Sequence, residues 1–227
     1  MSHQPNHRWF GSGQPASPGP EGAGPSSQSG FASPAALAVL WLCLVAVAVA
    51  GRTWQPAAHV TPLAGVSLVA GAVFPSMLLA ASVPVAALAI GNLFLPGYGS
   101  LTMAVVVYAA LVWPVILGQT GLLGQPGRRT RWMAVVGGAL ASSLGFFFST
   151  NTAHWLLTEQ YPHTPAGLLA CLAAGLPFHR WMPVGDIAWS LALFGCLTAA
   201  AAAGNLILGP RRLAVAQVSQ GRGGSAA

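Results

Sequence analysis

The sequence contains no lysine and only three acidic residues, Glu21, Glu159 and Asp186, in 227 positions. Charged residues make up 5% of the chain and hydrophobic ones 54%, whereas about a quarter of a soluble domain is charged. That scarcity excludes a soluble fold. It leaves long uncharged stretches that need lipid or a protein interior around them. The formal charge of +6 comes from nine arginines. Most stand at the ends of apolar segments (Arg52, Arg128, Arg129, Arg131, Arg180, Arg211, Arg212) and form no basic face, so nucleic acid is not an expected partner and the arginines read as topology signals. Cys43, Cys171 and Cys196 each sit in an apolar run with no CxxC pair, which fits buried thiols and neither a zinc site nor a redox pair.

Catalytic signatures are missing too. There is no Walker motif, no HExxH and no GxSxG context. His154 and His163 are nine apart with no paired carboxylate, so no metal, no cofactor and no enzymatic activity are expected.

What is present is hydrophobic length. Residues 1–33 are rich in Gly, Pro and Ser and read as a disordered tail, residues 34–208 as an all-α transmembrane domain, and residues 209–227 as a flexible C-terminal tail. The run Pro34–Gly51 is a first crossing, kept as an anchor because a polar lead of some thirty residues is a poor signal-peptide start. Thr61–Phe74 is short and crosses with help from its neighbours, its Gly65 and Gly71 permitting close helix approach. Ser76–Leu95 spans with a kink at Pro84, and Leu101–Gly118, Trp132–Leu157 and Pro183–Leu208 complete about six crossings. The segment 165–178 is too short to cross comfortably and suits a re-entrant helix. The arginine-bearing loop at 128–131 predicts a cytoplasmic position, with both termini inside a bacterial cytoplasmic membrane.

A polar or ionisable residue in such segments is costly, so each is a candidate functional residue. Asp186, the only aspartate, opens the last crossing, where it caps the helix or pairs with a ligand or with Arg180. Asn92 either faces a cavity or ends its helix before Pro96. The densest group is Asn151, His154, Trp155, Tyr161, His163 and Thr164, with Asn151 and Trp155 sharing a helix face. It reads either as the rim of a small-molecule pocket or as an interfacial aromatic belt.

The segments TPLAGVSLVAGAVF, GNLFLPG, FFFSTNTAHWL, YPHTPAGLLACLAAGLPF and GDIAWSLALFG, in that order over Thr61–Gly195, resemble a family of small bacterial membrane proteins of unknown function, generally described as transport proteins. That family is similar to the S components of energy-coupling-factor vitamin transporters. The resemblance implies a six-helix substrate-binding subunit for uptake of a small nutrient such as a vitamin. The candidate substrate-binding residues are Asn92, Asn151, His154, Trp155, Tyr161, Thr164 and Asp186; of these, Asn151, Trp155, Tyr161, Thr164 and Asp186 match the family's pattern, and Asn92 stands where that family often carries an acidic residue. The resemblance also implies an energising transmembrane partner with ATPases, docked through small residues such as Ala46 and Ala50. The rival from another class is a non-transporting membrane scaffold or assembly factor.

Overall fold

The computed structural model describes residues 33–55, 60–95, 97–126 and 129–204, and all regular structure among them is helical. Seven helices follow one another: α1 (Pro34–Thr53), α2 (Leu63–Val73), α3 (Met77–Gly91), α4 (Leu101–Gln119), α5 (Trp132–Leu157), α6 (Pro165–His179) and α7 (Met182–Ala202). Four of them, α1, α4, α5 and α7, are long and apolar enough to cross a membrane, which marks a helical membrane protein. The other three are shorter, so the expected six crossings become four full-length helices and three short ones. The tails at 1–32 and 205–227, with residues 205–208 of the last expected crossing, lie outside the described residues.

Local chemistry accounts for most helix starts. Ser33, Ser76, Ser100 and Thr164 each accept a hydrogen bond from a backbone N–H two or three residues into the following helix, satisfying a donor that the first turn leaves orphaned. Proline follows Ser33 and Thr164 at the first helical position, where its missing N–H costs nothing. Inside α3 and α4, Pro84 and Pro114 remove a helix hydrogen bond, and both are fully buried.

The packing is organised around α2. Ten of its eleven residues are buried, and it touches α1, α3, α4, α5 and α7. At about 1.5 Å per residue it is only about 16 Å long, half the thickness of a hydrocarbon core of about 30 Å. Its crossing with α4 is made backbone to backbone: a Cβ at Gly118 would lie 2.8 Å from both Ala72 N and Gly71 Cα and closer still to the Leu68 carbonyl. Only glycine permits that approach. Its own Val66, Leu68 and Val69 meet Phe74, Val115, Val135 and Phe194 in the core.

α6 and α7 both run antiparallel to α5 and divide its length between them. Cys171 Sγ approaches the Asn151 carbonyl, Gly175 faces the Asn151 side chain and His179 stacks on Phe147, so α6 covers the C-terminal part of α5. Asp186 lies beside Ser143, and the Thr198 hydroxyl meets Thr130 just ahead of α5, so α7 covers the rest. The break between them, at Arg180 and Trp181, falls opposite the middle of α5.

Candidate functional site

The polar group of residues 151–164 forms the corner between α5 and α6, and its hydrogen bonds are largely spent there. Asn151 Nδ2 donates back to the Phe147 carbonyl at 2.8 Å. His154 Nε2 lies 3.0 Å from Gln160 Oε1. Trp155 Nε1 donates to the Pro162 carbonyl at 2.9 Å, while its ring meets His163 edge-on at 5.6 Å. Thr164 caps α6 through Gly167 N, and Tyr161 is half-buried in the same corner. A Cβ on Gly167 would collide with the Pro162 carbonyl, so glycine is required for the loop to fold down on α6.

Asn92 stands elsewhere. It is the C-cap of α3, and its Nδ2 donates to Tyr108 OH at 3.3 Å. Beside it, Arg52 donates to the Leu88 carbonyl and to Tyr98 OH, each at 3.3 Å. This ties the end of α1 to α3 and to the loop before α4. Helix α3 packs on α1, α2 and α4, whereas α6 packs on α5 and α7 alone. Asn92 and the 151–164 group therefore sit on different sides of the bundle and do not share a pocket.

Asp186 occupies a third location. It is not a helix cap: the N-cap of α7 is Trp181, and Asp186 lies in the second turn. Nor does Arg180 reach for it, since that residue is exposed with its guanidinium 5.9 Å from the ring of Trp181. At 4% exposure Asp186 is the most deeply placed acidic residue described, with Ser143 beside its carboxylate. It lines a cavity of about 50 Å³ together with Thr61, Ala64, Pro114, Ser142 and Phe146. Leu111 and Ser142, which also line the cavity, lie near the middle of α4 and α5, so the carboxylate sits at mid-depth in the bundle. Two helices begin there: α2, preceded by the non-helical Val60–Pro62, and α7 after the break. Val60 packs on Gly185, and Ser190 on Gly65, one turn further along each helix. Neither helix start has a side-chain cap, and Thr61 and Leu63 at the start of α2 and Met182 at the start of α7 line the same cavity as the carboxylate.

His179 and Ser190 joined the buried polar set without any signal that sequence reading had used. The His179 ring lies 4.5 Å from that of Phe147 and is 8% exposed, and neither ring nitrogen finds a partner among the described residues. The useful signal was spacing: Asp186 and Ser190 are four apart on one face of α7, and Ser143 and Phe147 four apart on the facing side of α5.

No curated protein and no solved structure matches the chain. A match to DUF6580, a family of unknown function, covers residues 32–206, and the chain belongs to that family.

Proposed function

We propose that the protein is a membrane transport protein that binds a small solute inside its helical bundle, with Asp186 as the polar anchor of the site. The observation that carries this reading is a single carboxylate buried at mid-depth, where two helices start. Interrupted helices meeting at half-depth form the substrate and ion sites of many secondary transporters, and an ionisable residue there is costly enough that structural drift does not account for it. The cavity of about 50 Å³ holds a water or two, whereas a vitamin-sized nutrient needs about 300 Å³ or more. Uptake of such a nutrient, in the manner of an S component with an energising partner, therefore requires the cavity to open. Helix α6 is the element suited to move, because it rests on α5 and only marginally on α7, with Leu169, Leu176 and Phe178 exposed. Its swing would part Cys171 and Gly175 from Asn151 on α5.

The experiment is to extract the protein from its own membranes into nanodiscs and identify co-purifying small molecules by mass spectrometry. The solute found is then tested for uptake in reconstituted vesicles. Asp186→Asn is expected to lower solute retention at least tenfold while the protein stays folded. Retention unchanged in Asp186→Asn, Asn151→Ala and Trp155→Ala would remove the proposed site. The scaffold reading has one observation in its favour: Asn151, His154, Trp155 and Thr164 all bond within the chain. It predicts no retained solute, and loss of a partner protein when the corner is disrupted.

A further inference from the structure

Where α4 ends and α5 begins, a second hollow, a trough of about 320 Å³, runs along the bundle surface. Its walls are Leu117, Leu122, Ala134, Gly137 and Ala141, and Arg131 stands at one end. From Arg131 to Ala141 the trough follows about 15 Å of α5, at about 1.5 Å per residue. Its floor is small residues: at Gly137 a Cβ would meet nothing within 4 Å. The position thus has space in front of it and no close backbone approach to explain the missing side chain. Arg131, which lines the trough, and Arg129, two residues before it, are both exposed. No acidic residue stands between Glu21 and Glu159, and Glu159 follows the opposite end of α5. The trough is therefore apolar along its length and cationic at one end, with no acidic side chain from its own helices to neutralise it.

We propose that this trough is a binding site for an anionic phospholipid, whose acyl chain lies along Ala134, Gly137 and Ala141 and whose phosphate is held by Arg131 and Arg129. The two halves of the site select the ligand together. A neutral phospholipid fills the trough and leaves the guanidinium groups in water, and a soluble anion meets the arginines and leaves the trough empty. Basic side chains at a membrane surface contribute about 1 kcal/mol each toward anionic lipid, roughly a fivefold change in affinity per arginine on the scale where 1.4 kcal/mol is tenfold. The inference does not depend on what the Asp186 site binds.

The test titrates delipidated full-length protein with phosphatidylglycerol or with phosphatidylcholine of identical acyl chains and counts bound lipids by native mass spectrometry. Wild type is expected to retain phosphatidylglycerol in clear preference to phosphatidylcholine. Arg131→Gln should lower that preference about fivefold, and Arg129→Gln with Arg131→Gln should nearly abolish it. Gly137→Leu, which fills the trough and leaves both arginines in place, should reduce retention of both lipids. Arg131 and Gly137 face open space, so these variants keep the fold, and a thermal unfolding profile matching wild type verifies it. Equal retention of the two lipids by wild type overturns the proposal, as does a preference that survives in the double arginine variant. Displacement of the bound lipid by inorganic phosphate alone also overturns it, because the site would then be one for an anion and not for a lipid.

Discussion

Replacing Gly118 by alanine tests whether the α2–α4 crossing holds the bundle together. The added Cβ would stand 2.8 Å from Gly71 Cα, and carbon atoms rest at about 3.5–4.0 Å. The two helices must therefore separate by about 0.7 Å or more at that point. A radial gap of about 0.5–1 Å forfeits a quarter to a half of the dispersion energy of the atoms that line it. Because α2 buries ten of its eleven residues, separation on one side disturbs contacts all round it. Overpacking of this kind costs about 1–3 kcal/mol, set against a gain of about 1 kcal/mol from exchanging glycine for alanine within a helix. The net expectation is a loss of roughly 0–2 kcal/mol, which places Gly118→Ala about 1–3 kcal/mol below a glycine-to-alanine exchange that meets no neighbour. Gly137→Ala is the control, since its Cβ meets nothing within 4 Å, and it should gain up to about 1 kcal/mol from propensity alone. Equilibrium unfolding in mixed micelles, or thermal unfolding in one detergent, ranks the variants. The reasoning fails if Gly118→Ala proves as stable as Gly137→Ala. Gly71→Ala should behave like Gly118→Ala, and the double variant should cost less than the sum, because the first methyl already opens the space the second needs.

Three further outcomes follow from the same geometry. Thr164→Ala removes the cap of α6 and should destabilise that helix by about 1 kcal/mol, read as faster amide exchange over residues 165–169 with α1 to α4 unaffected. Trp155→Phe keeps an aromatic ring and loses the hydrogen bond to the Pro162 carbonyl, so proteolytic nicking within 158–163 should increase several-fold at unchanged overall melting temperature. His179→Phe should be neutral or stabilising by about 1–2 kcal/mol, since it replaces a buried ring with no hydrogen-bond partner among the described residues by an apolar one. If that variant instead loses solute retention while gaining stability, His179 belongs to the binding site.

The segment boundaries were largely legible because they are set by local chemistry. Ser33–Pro34 and Thr164–Pro165 announce helix starts in sequence, and the kinking proline Pro84 sits where expected within α3. The composition of the α5–α6 corner was legible as well. What the sequence did not convey was which face of each helix is buried. A helix that meets lipid on one side and protein on the other is apolar all round, so no polar stripe reports its orientation. The central position of α2 and the separation of Asn92 from Asn151 by the width of the bundle were therefore out of reach. The role expected for Asp186 at a helix start was close in sequence and wrong in geometry. The N-cap of α7, Trp181, comes five residues earlier than a cap at Asp186 would require, which carries the carboxylate inward by more than one turn.

The burial of α2 also bears on how the protein is made. A helix of eleven residues is about 16 Å long and cannot settle across a bilayer unaided. Its permanent surroundings include α7, whose Ser190 closes against Gly65. More than a hundred residues separate the two in synthesis, so the centre of the protein must wait, half-accommodated, for the last helix to emerge. A chain that stops short of Met182 would keep most of its hydrophobic length and leave the side of α2 that faces α7 uncovered, which makes α7, the last helix among the described residues, the step at which that side of the core closes.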